Sequence, residues 1–190
     1  MPRVGSIGRF FRPGGALLVG IVGVLALWRS PAAGAPTSVS SILVIRVDER
    51  VGNVLLTTPL LARLVERFPG AAVKILVARS KRGLVEGLFE TIPFEKKDFF
   101  RRPWRFLAQL WALRRARYDV AIDASHWHSF SATSALRLGL IGAKIRIAHD
   151  RGAARLVATD LVPVPDASAR EPEVHTKLRL LSPLGVEPGQ

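Results

Sequence analysis

One strand–loop–helix pattern constrains this chain more than any other feature. Ile42, Leu43, Val44 and Ile45 form an apolar run rich in β-branched residues, the pattern of a strand buried on both faces of a parallel sheet. A short charged loop follows, from Val47 to Asn53, closing on Gly52-Asn53. Leu60, Leu61, Leu64, Val65 and Phe68 then recur at helical spacing. Strand, tight loop and helix make the first half of a βαβ unit. Open α/β sheets bind their ligands at the carboxyl ends of the strands. The loop from Val47 to Asn53 is therefore expected to border the site.

The rest of the chain repeats the alternation. Phe68-Pro69-Gly70 stops the helix and turns the chain. Residues 73–77 read as a second strand, 80–88 as a helix capped by Ser80, and 92–94 as a short third strand. Residues 95–102 read as a charged loop. Residues 104–117 read as an amphipathic helix, with Phe106, Leu107, Leu110, Trp111 and Leu113 on or near one face. Its last turn, Arg114-Arg115-Ala116-Arg117, suits the negative end of a helix, either as solvated cations or as a phosphate or lipid patch. Residues 118–123 and 144–148 read as two further strands, and 131–140, 152–158 and 173–181 as helices. Residues 161–165 are extended and peripheral, because proline cannot sit in a central strand. The pattern predicts an α/β fold with a Rossmann-like, doubly wound, mostly parallel sheet.

The 190 residues suffice for one domain and an appendage. The appendage is N-terminal. Arg3, Arg9 and Arg12 precede an apolar run over residues 14–28, which Arg29-Ser30-Pro31 ends. The run is shorter than the roughly 20 residues of a spanning helix, and it is apolar all round, unlike a helix lying in the interface plane. It fits a membrane-associating segment facing the cytoplasm. It also satisfies the signal-peptide template, with Ala33-Gly34-Ala35 as cleavage site, and a mis-assigned start is the third reading. Residues 1–40 are set apart from a domain expected over 41–187. A net charge of +13 favours anionic partners, or belongs to a solvated basic surface. The absence of cysteine excludes disulfides and thiolate metal sites, and fits a reducing compartment.

Several residues at the expected edge can carry chemistry. Asp48 and Glu49 place two carboxylates beside the cleft, as general bases toward a hydroxyl or as partners of Arg46 and Arg50. Asn53 can cap the following helix, but an amide is no base. Alternatively the regular helix starts with Thr58 as cap and Pro59 at its first position. Only Gly52 stands where a dinucleotide fingerprint needs three glycines. His126 and His128 follow the fourth strand. They can contribute to a metal site, though no carboxylate or cysteine cluster completes one, or line a cleft with Ser125, Ser129 and Ser131. Trp127 can stack on a sugar or a base, or cover the sheet edge. No nucleophile elbow and no P-loop occurs.

The order of these motifs resembles glycosyltransferase family 9, the lipopolysaccharide heptosyltransferases. The likeness lies in the strand from Ile42, the Gly52-Asn53 turn with Leu56-Thr57-Thr58-Pro59-Leu60-Leu61, then Phe68-Pro69-Gly70-Ala71, Tyr118-Asp119-Val120-Ala121-Ile122-Asp123, Gly142-Ala143-Lys144-Ile145-Arg146-Ile147, and the stretch from Val174 to Gly185. The resemblance implies the N-terminal half of a GT-B fold, which binds a lipid-linked acceptor. A C-terminal domain would bind the nucleotide-sugar donor, ADP-heptose in the best-known members. The implied reaction is inverting and metal-independent, with a carboxylate deprotonating the attacking hydroxyl. It implies no cofactor beyond the donor.

The family usually carries aspartate, its presumed base, where this chain has Asn53, and the loop is one residue longer than the commonest form. Asp48 or Glu49 then substitutes, the acceptor differs, or no base acts here. Arg46, Arg79, Arg137 and Arg146 are the expected contacts to acceptor phosphates, with Gly52, Thr58, Ser125, His126 and His128 completing the acceptor site. Implied partners are a phosphate-bearing glycolipid, a membrane surface and a separate donor domain, with no nucleic acid. The sequence ends at Gln190, where the resemblance places the start of the donor domain, so an acceptor domain without its donor domain is expected. It would work at the cytoplasmic face of the inner membrane, anchored by residues 14–28. The alternative is a non-catalytic glycolipid-binding or scaffold domain, or one half of a split transferase.

Overall fold

The computed structural model describes residues 38–47, 49–126, 132–165 and 171–186. Among these residues six strands form one parallel sheet: β1 Ser41–Arg46, β2 Ala72–Ala78, β3 Glu90–Phe94, β4 Val120–Asp123, β5 Ile145–His149 and β6 Asp160–Val162. Their order is β3-β2-β1-β4-β5-β6. The chain winds outward from β1 to β3, returns to β4 beside β1, and winds outward again to β6. The switch point lies between β1 and β4, whose registers place Val44 against Ile75 on one side and Ile122 on the other.

Among the described residues six α-helices accompany the sheet: α1 Val51–Leu55, α2 Thr58–Arg67, α3 Asp98–Arg101, α4 Pro103–Arg115, α5 Ala132–Ile141 and α6 Glu173–Leu178. Successive side chains of a strand point to opposite faces, and β1 divides its residues accordingly. Ile42 and Val44 join Ile75 and Ile122 against Leu60, Leu61 and Leu64 of α2, with Leu180, Leu181 and Leu184 beyond α6. Leu43 and Ile45 join Leu76 against Phe106, Leu110 and Leu113 of α4 and Leu138 and Ile141 of α5. Burial on both faces is why β1 reads as a continuous apolar run rather than an alternating one.

The doubly wound sheet is as the sequence implies, and every described strand pair in it is parallel. Local departures have local causes. The helix expected over 80–88 is a 3-10 segment, Arg79–Leu84, because Gly83 and Gly87 weaken any helix there and Gly87 takes a φ of 94°. Ser80 caps nothing and donates to Glu49 instead. The charged loop over 95–102 contains α3. The last helix stops at Leu178 and continues as the 3-10 segment Arg179–Leu184, which contains Pro183 and closes on Gly185 in the left-handed region.

The start of the second element also differs from expectation. Asn53 is the third residue of α1, not a cap; Arg50 precedes that helix and makes no side-chain cap bond. The residue before α2 is Thr57, so Thr58 occupies its first position and Pro59 its second. Thr57 donates its hydroxyl to the Asn53 carbonyl at 2.8 Å, which joins the two helices.

At the amino edge of the sheet, Asp119 gathers three chain segments. Ser40 Oγ donates to its Oδ2 at 2.6 Å, Ser41 Oγ lies 3.3 Å from the same oxygen, and Lys144 Nζ donates to Oδ1 at 2.8 Å. Burial opposes the charge of this carboxylate, but the bonds from Lys144 and Ser40 outweigh it and hold its pKa far below the usual range. Among the described residues no helix is long and apolar enough to cross a membrane. The run over 14–28 lies outside them.

Candidate functional site

The switch point is closed at its carboxyl edge by a cluster of charged side chains. Arg46, the last residue of β1, is fully buried, and its Nη1 donates to the carbonyl of Ala124, the first residue beyond β4. Its Nη2 stands 3.9 Å from Glu173 Oε1. Glu173 opens α6 and receives Lys177 Nζ at 2.6 Å from one turn along the same helix. His126 Nδ1 lies 3.1 Å from the same oxygen. One carboxylate thus meets groups from the end of β1, from the loop after β4 and from α6. Burial alone would raise the pKa of Glu173. The hydrogen bond from Lys177, with the charges of Lys177, His126 and Arg46, outweighs burial and holds the carboxyl below its ordinary value.

A second layer lies behind this one. Asp123 ends β4, is buried, and accepts the Ser125 backbone N–H at 3.0 Å. Ser125 Oγ in turn accepts Arg151 Nη2 at 2.8 Å. His149 ends β5 and is buried. Burial, then the positive charges of Arg151, Lys177 and Arg179, push its pKa down to about 4. Arg151, Lys177 and Arg179 thus add positive charge around a histidine that burial already keeps neutral. Its Nδ1 and the Thr176 hydroxyl are buried without a hydrogen-bond partner among the described residues.

The residues named from the sequence fall into separate places. Arg46, Ser125 and His126 come together at the switch point. Glu49 is exposed on the β1–α1 loop and its Oε2 accepts Ser80 Oγ at 3.1 Å, which ties that loop to the chain leaving β2. Arg79 is exposed beside Ser80. Gly52 faces open space, with no heavy atom within 4 Å of where a Cβ would stand. Asn53 is buried inside α1, and Thr58 donates to the Leu55 carbonyl at 2.7 Å. Asp48 and His128 lie outside the described residues.

Arg137 and Arg146 face inward instead. The Arg137 guanidinium lies 3.9 Å from the Phe94 ring centroid and 5.7 Å from that of Phe106, and Nη1 donates to the Thr133 carbonyl at 3.0 Å. Burial pushes its pKa to about 10, with Asp123 pulling the other way. Arg146 donates Nε to the Val157 carbonyl at 2.6 Å and Nη1 to the Ala143 carbonyl at 2.7 Å. Among the described residues no group of three His, Cys, Asp or Glu side chains is placed to hold a metal ion.

Glu173, Lys177, His149 and Arg151 were not visible as site residues in the sequence. Two signals pointed toward them. Glu173 and Lys177 have the i,i+4 spacing of a helical ion pair at the start of the last helix. His149 follows a strand, which places it at the carboxyl edge. Neither signal says that the last helix returns to β1.

No family model matches the sequence, and no curated protein matches it. Solved structures do match. A glycosyl transferase family 9 protein from Veillonella parvula superimposes with a TM-score of 0.62 at 18% identity, over 82% of this chain and 44% of that one. The ADP-heptose LPS heptosyltransferase II of E. coli gives 0.57 at 23% identity, over 78% and 41%. The E. coli heptosyltransferase WaaC, solved with ADP, gives 0.57 at 19% identity, over 79% and 48%. The chain is thus similar in fold to family-9 glycosyltransferases, which are GT-B proteins, and its own sheet is Rossmann-like. It spans less than half the length of each.

Proposed function

We propose that this chain is the acceptor-binding part of a family-9-type glycosyltransferase. Its acceptor is a phosphate-bearing, lipopolysaccharide-type glycolipid at the cytoplasmic face of the inner membrane, with residues 14–28 as anchor. The sugar is heptose-like and arrives on a nucleotide diphosphate held by a separate donor domain. The observation that carries this reading is the cationic switch point. Arg46, His126 and Lys177 converge on Glu173 there, and a positive field reaches His149. Such an edge favours a ligand bearing phosphates.

This reading implies the following chemistry. The acceptor hydroxyl oxygen attacks the anomeric carbon, the bond from that carbon to the nucleotide diphosphate breaks, and the hydroxyl proton passes to a carboxylate of the β1–α1 loop. Glu49 and Asp48 are the carboxylates of that loop. Lys177 and Arg46 are buried and hold Glu173 and the loop after β4, which border the acceptor; positioning of this kind is worth roughly 7–11 kcal/mol of barrier when both reactants are held in near-attack geometry. The reaction uses no metal. Asn53, buried and without a basic group, favours a second reading: a domain that binds the glycolipid and transfers nothing.

Calorimetric titration of the chain with deacylated lipopolysaccharide core, phosphorylated and enzymatically dephosphorylated, tests the proposal. The phosphorylated core should bind, and its binding should raise the His149 pKa as the anion offsets the positive field. Arg79→Met, at an exposed arginine among the expected phosphate contacts, should weaken it about tenfold or more, the loss expected of one charge-assisted hydrogen bond. Equal binding of both cores, or binding of neither, would sink it.

A further inference from the structure

Helix α4 is apolar on two sides. It buries Phe106, Leu110 and Leu113 against the sheet and leaves Trp104, Leu107 and Trp111 exposed, at 63%, 62% and 62%. At about 3.6 residues per turn these three fall on one stripe. An exposed apolar stripe of this kind marks a binding surface.

Its surroundings say what covers it. Helical spacing puts Arg115 at one border of the stripe and Arg114 at the other, where Arg114 Nη1 donates to the Leu140 carbonyl at 3.0 Å, and puts Arg105 about 100° round from Trp104; all three are exposed. The Arg115 guanidinium lies 5.0 Å from the Trp111 ring centroid. Arg101 and Arg102 precede the helix and Arg117 follows it, all exposed. No aspartate or glutamate occurs from Arg101 to Arg117. Indole rings settle at headgroup level, long cationic side chains reach lipid phosphates, and apolar side chains enter the acyl boundary.

We propose that α4 is an interfacial docking helix that seats this domain on an anionic lipid bilayer. The surface is distinct from the N-terminal run and does not depend on the transferase reading. Phe106 packs edge-on against Phe94, the last residue of β3, with centroids 6.4 Å apart. The Trp104 end of the stripe therefore lies toward the carboxyl edge of the sheet, the edge that carries the cationic switch point.

The absence of cysteine allows a direct test on the full chain. Leu107→Cys carries one polarity-sensitive fluorophore on the stripe. Arg63→Cys carries it on α2, across the sheet. With vesicles of phosphatidylcholine and phosphatidylglycerol, the Leu107→Cys label should shift to the blue and be quenched by brominated acyl chains, while the Arg63→Cys label stays in water. Adding Arg105→Glu and Arg115→Glu should raise the lipid concentration needed about tenfold or more, since each cation near the surface favours binding about fivefold. Three results overturn the proposal. The chain pellets with vesicles but the Leu107→Cys label stays in water, so another segment anchors it. The label is already shielded without lipid, so this chain or a second copy covers the stripe. Or vesicles of phosphatidylcholine alone act equally well.

Discussion

Lys177 Nζ stands 2.6 Å from Glu173 Oε1, and the lysine is almost wholly buried although it belongs to a six-residue helix. The pair therefore holds more than its own helix. Through Glu173 it ties α6 to Arg46 at the end of β1 and to His126 beyond β4. Glu173→Gln keeps the shape and removes the charge. The variant should lose about 1–3 kcal/mol of stability near neutral pH, as expected when charge-assisted bonds to buried cations are weakened. The native carboxyl is held below its ordinary value of 4.5, so its contribution is present above that pH and is lost as pH falls through the lowered value. Urea unfolding of parent and variant should show a gap at pH 7 that closes on acidification. A gap independent of pH would mean that the charge is not what Glu173 supplies.

His149 predicts a second slope. Burial and its cationic neighbours set its folded pKa at about 4, below an unfolded value near 6.5. The neutral imidazole stabilises the fold above the unfolded pKa, and that contribution drains away as pH falls from 6.5 toward 4. At about 1.4 kcal/mol per pH unit the loss is about 3 kcal/mol in all. His149→Phe removes the titrating group, so stability should lose its slope over that window. NMR titration of the imidazole provides the direct check, and a midpoint near 6.5 would contradict the burial argument.

The fold was legible because burial leaves its mark in local sequence. β1, central and covered on both faces, had to be a continuous apolar run, and Pro93 and Pro163 sit where edge strands tolerate or stop at proline. The site was legible only in part. Arg46, Ser125 and His126 follow strands, so topology alone places them at one edge. Glu173 and Lys177 arrive there by a tertiary contact between α6 and β1 across more than a hundred residues, and no local pattern encodes that. Arg137 and Arg146 looked identical to Arg46 in sequence, yet each has a different use inside the fold.

That difference is measurable. Arg146 bonds two backbone carbonyls inside the core, while Arg79 is exposed. Arg146→Leu leaves buried carbonyls without donors and should cost about 2–4 kcal/mol. Arg79→Leu should stay within about 0.5 kcal/mol, as surface substitutions usually do. Matched denaturation curves decide this, and equal losses at both positions would contradict the placement of either arginine.

Asn53 carries the last prediction, and its place in α1 changes the expected outcome of restoring a carboxylate. Asn53→Asp is nearly isosteric and stands at the third residue of a helix, where free N–H groups stabilise an anion by about 0.3–1 kcal/mol. The position is only 7% exposed, however. Burying a charge there opposes the helix term and is the larger of the two, since taking a carboxylate out of water costs several kcal/mol. The variant should therefore lose about 1 kcal/mol or more at neutral pH. Its carboxyl pKa should be raised, so the loss should shrink as pH falls and the group protonates. Activity runs the other way under the transferase reading. In a fusion that supplies a donor domain, a restored base should raise turnover about 10²–10⁴-fold. If Glu49 or Asp48 already serves, Asn53→Asp changes little, and Glu49→Gln or Asp48→Asn abolishes what activity there is. A fused enzyme that turns over acceptor and is indifferent to all three substitutions would show that the proton leaves by another route, and that the β1–α1 loop is not the catalytic edge.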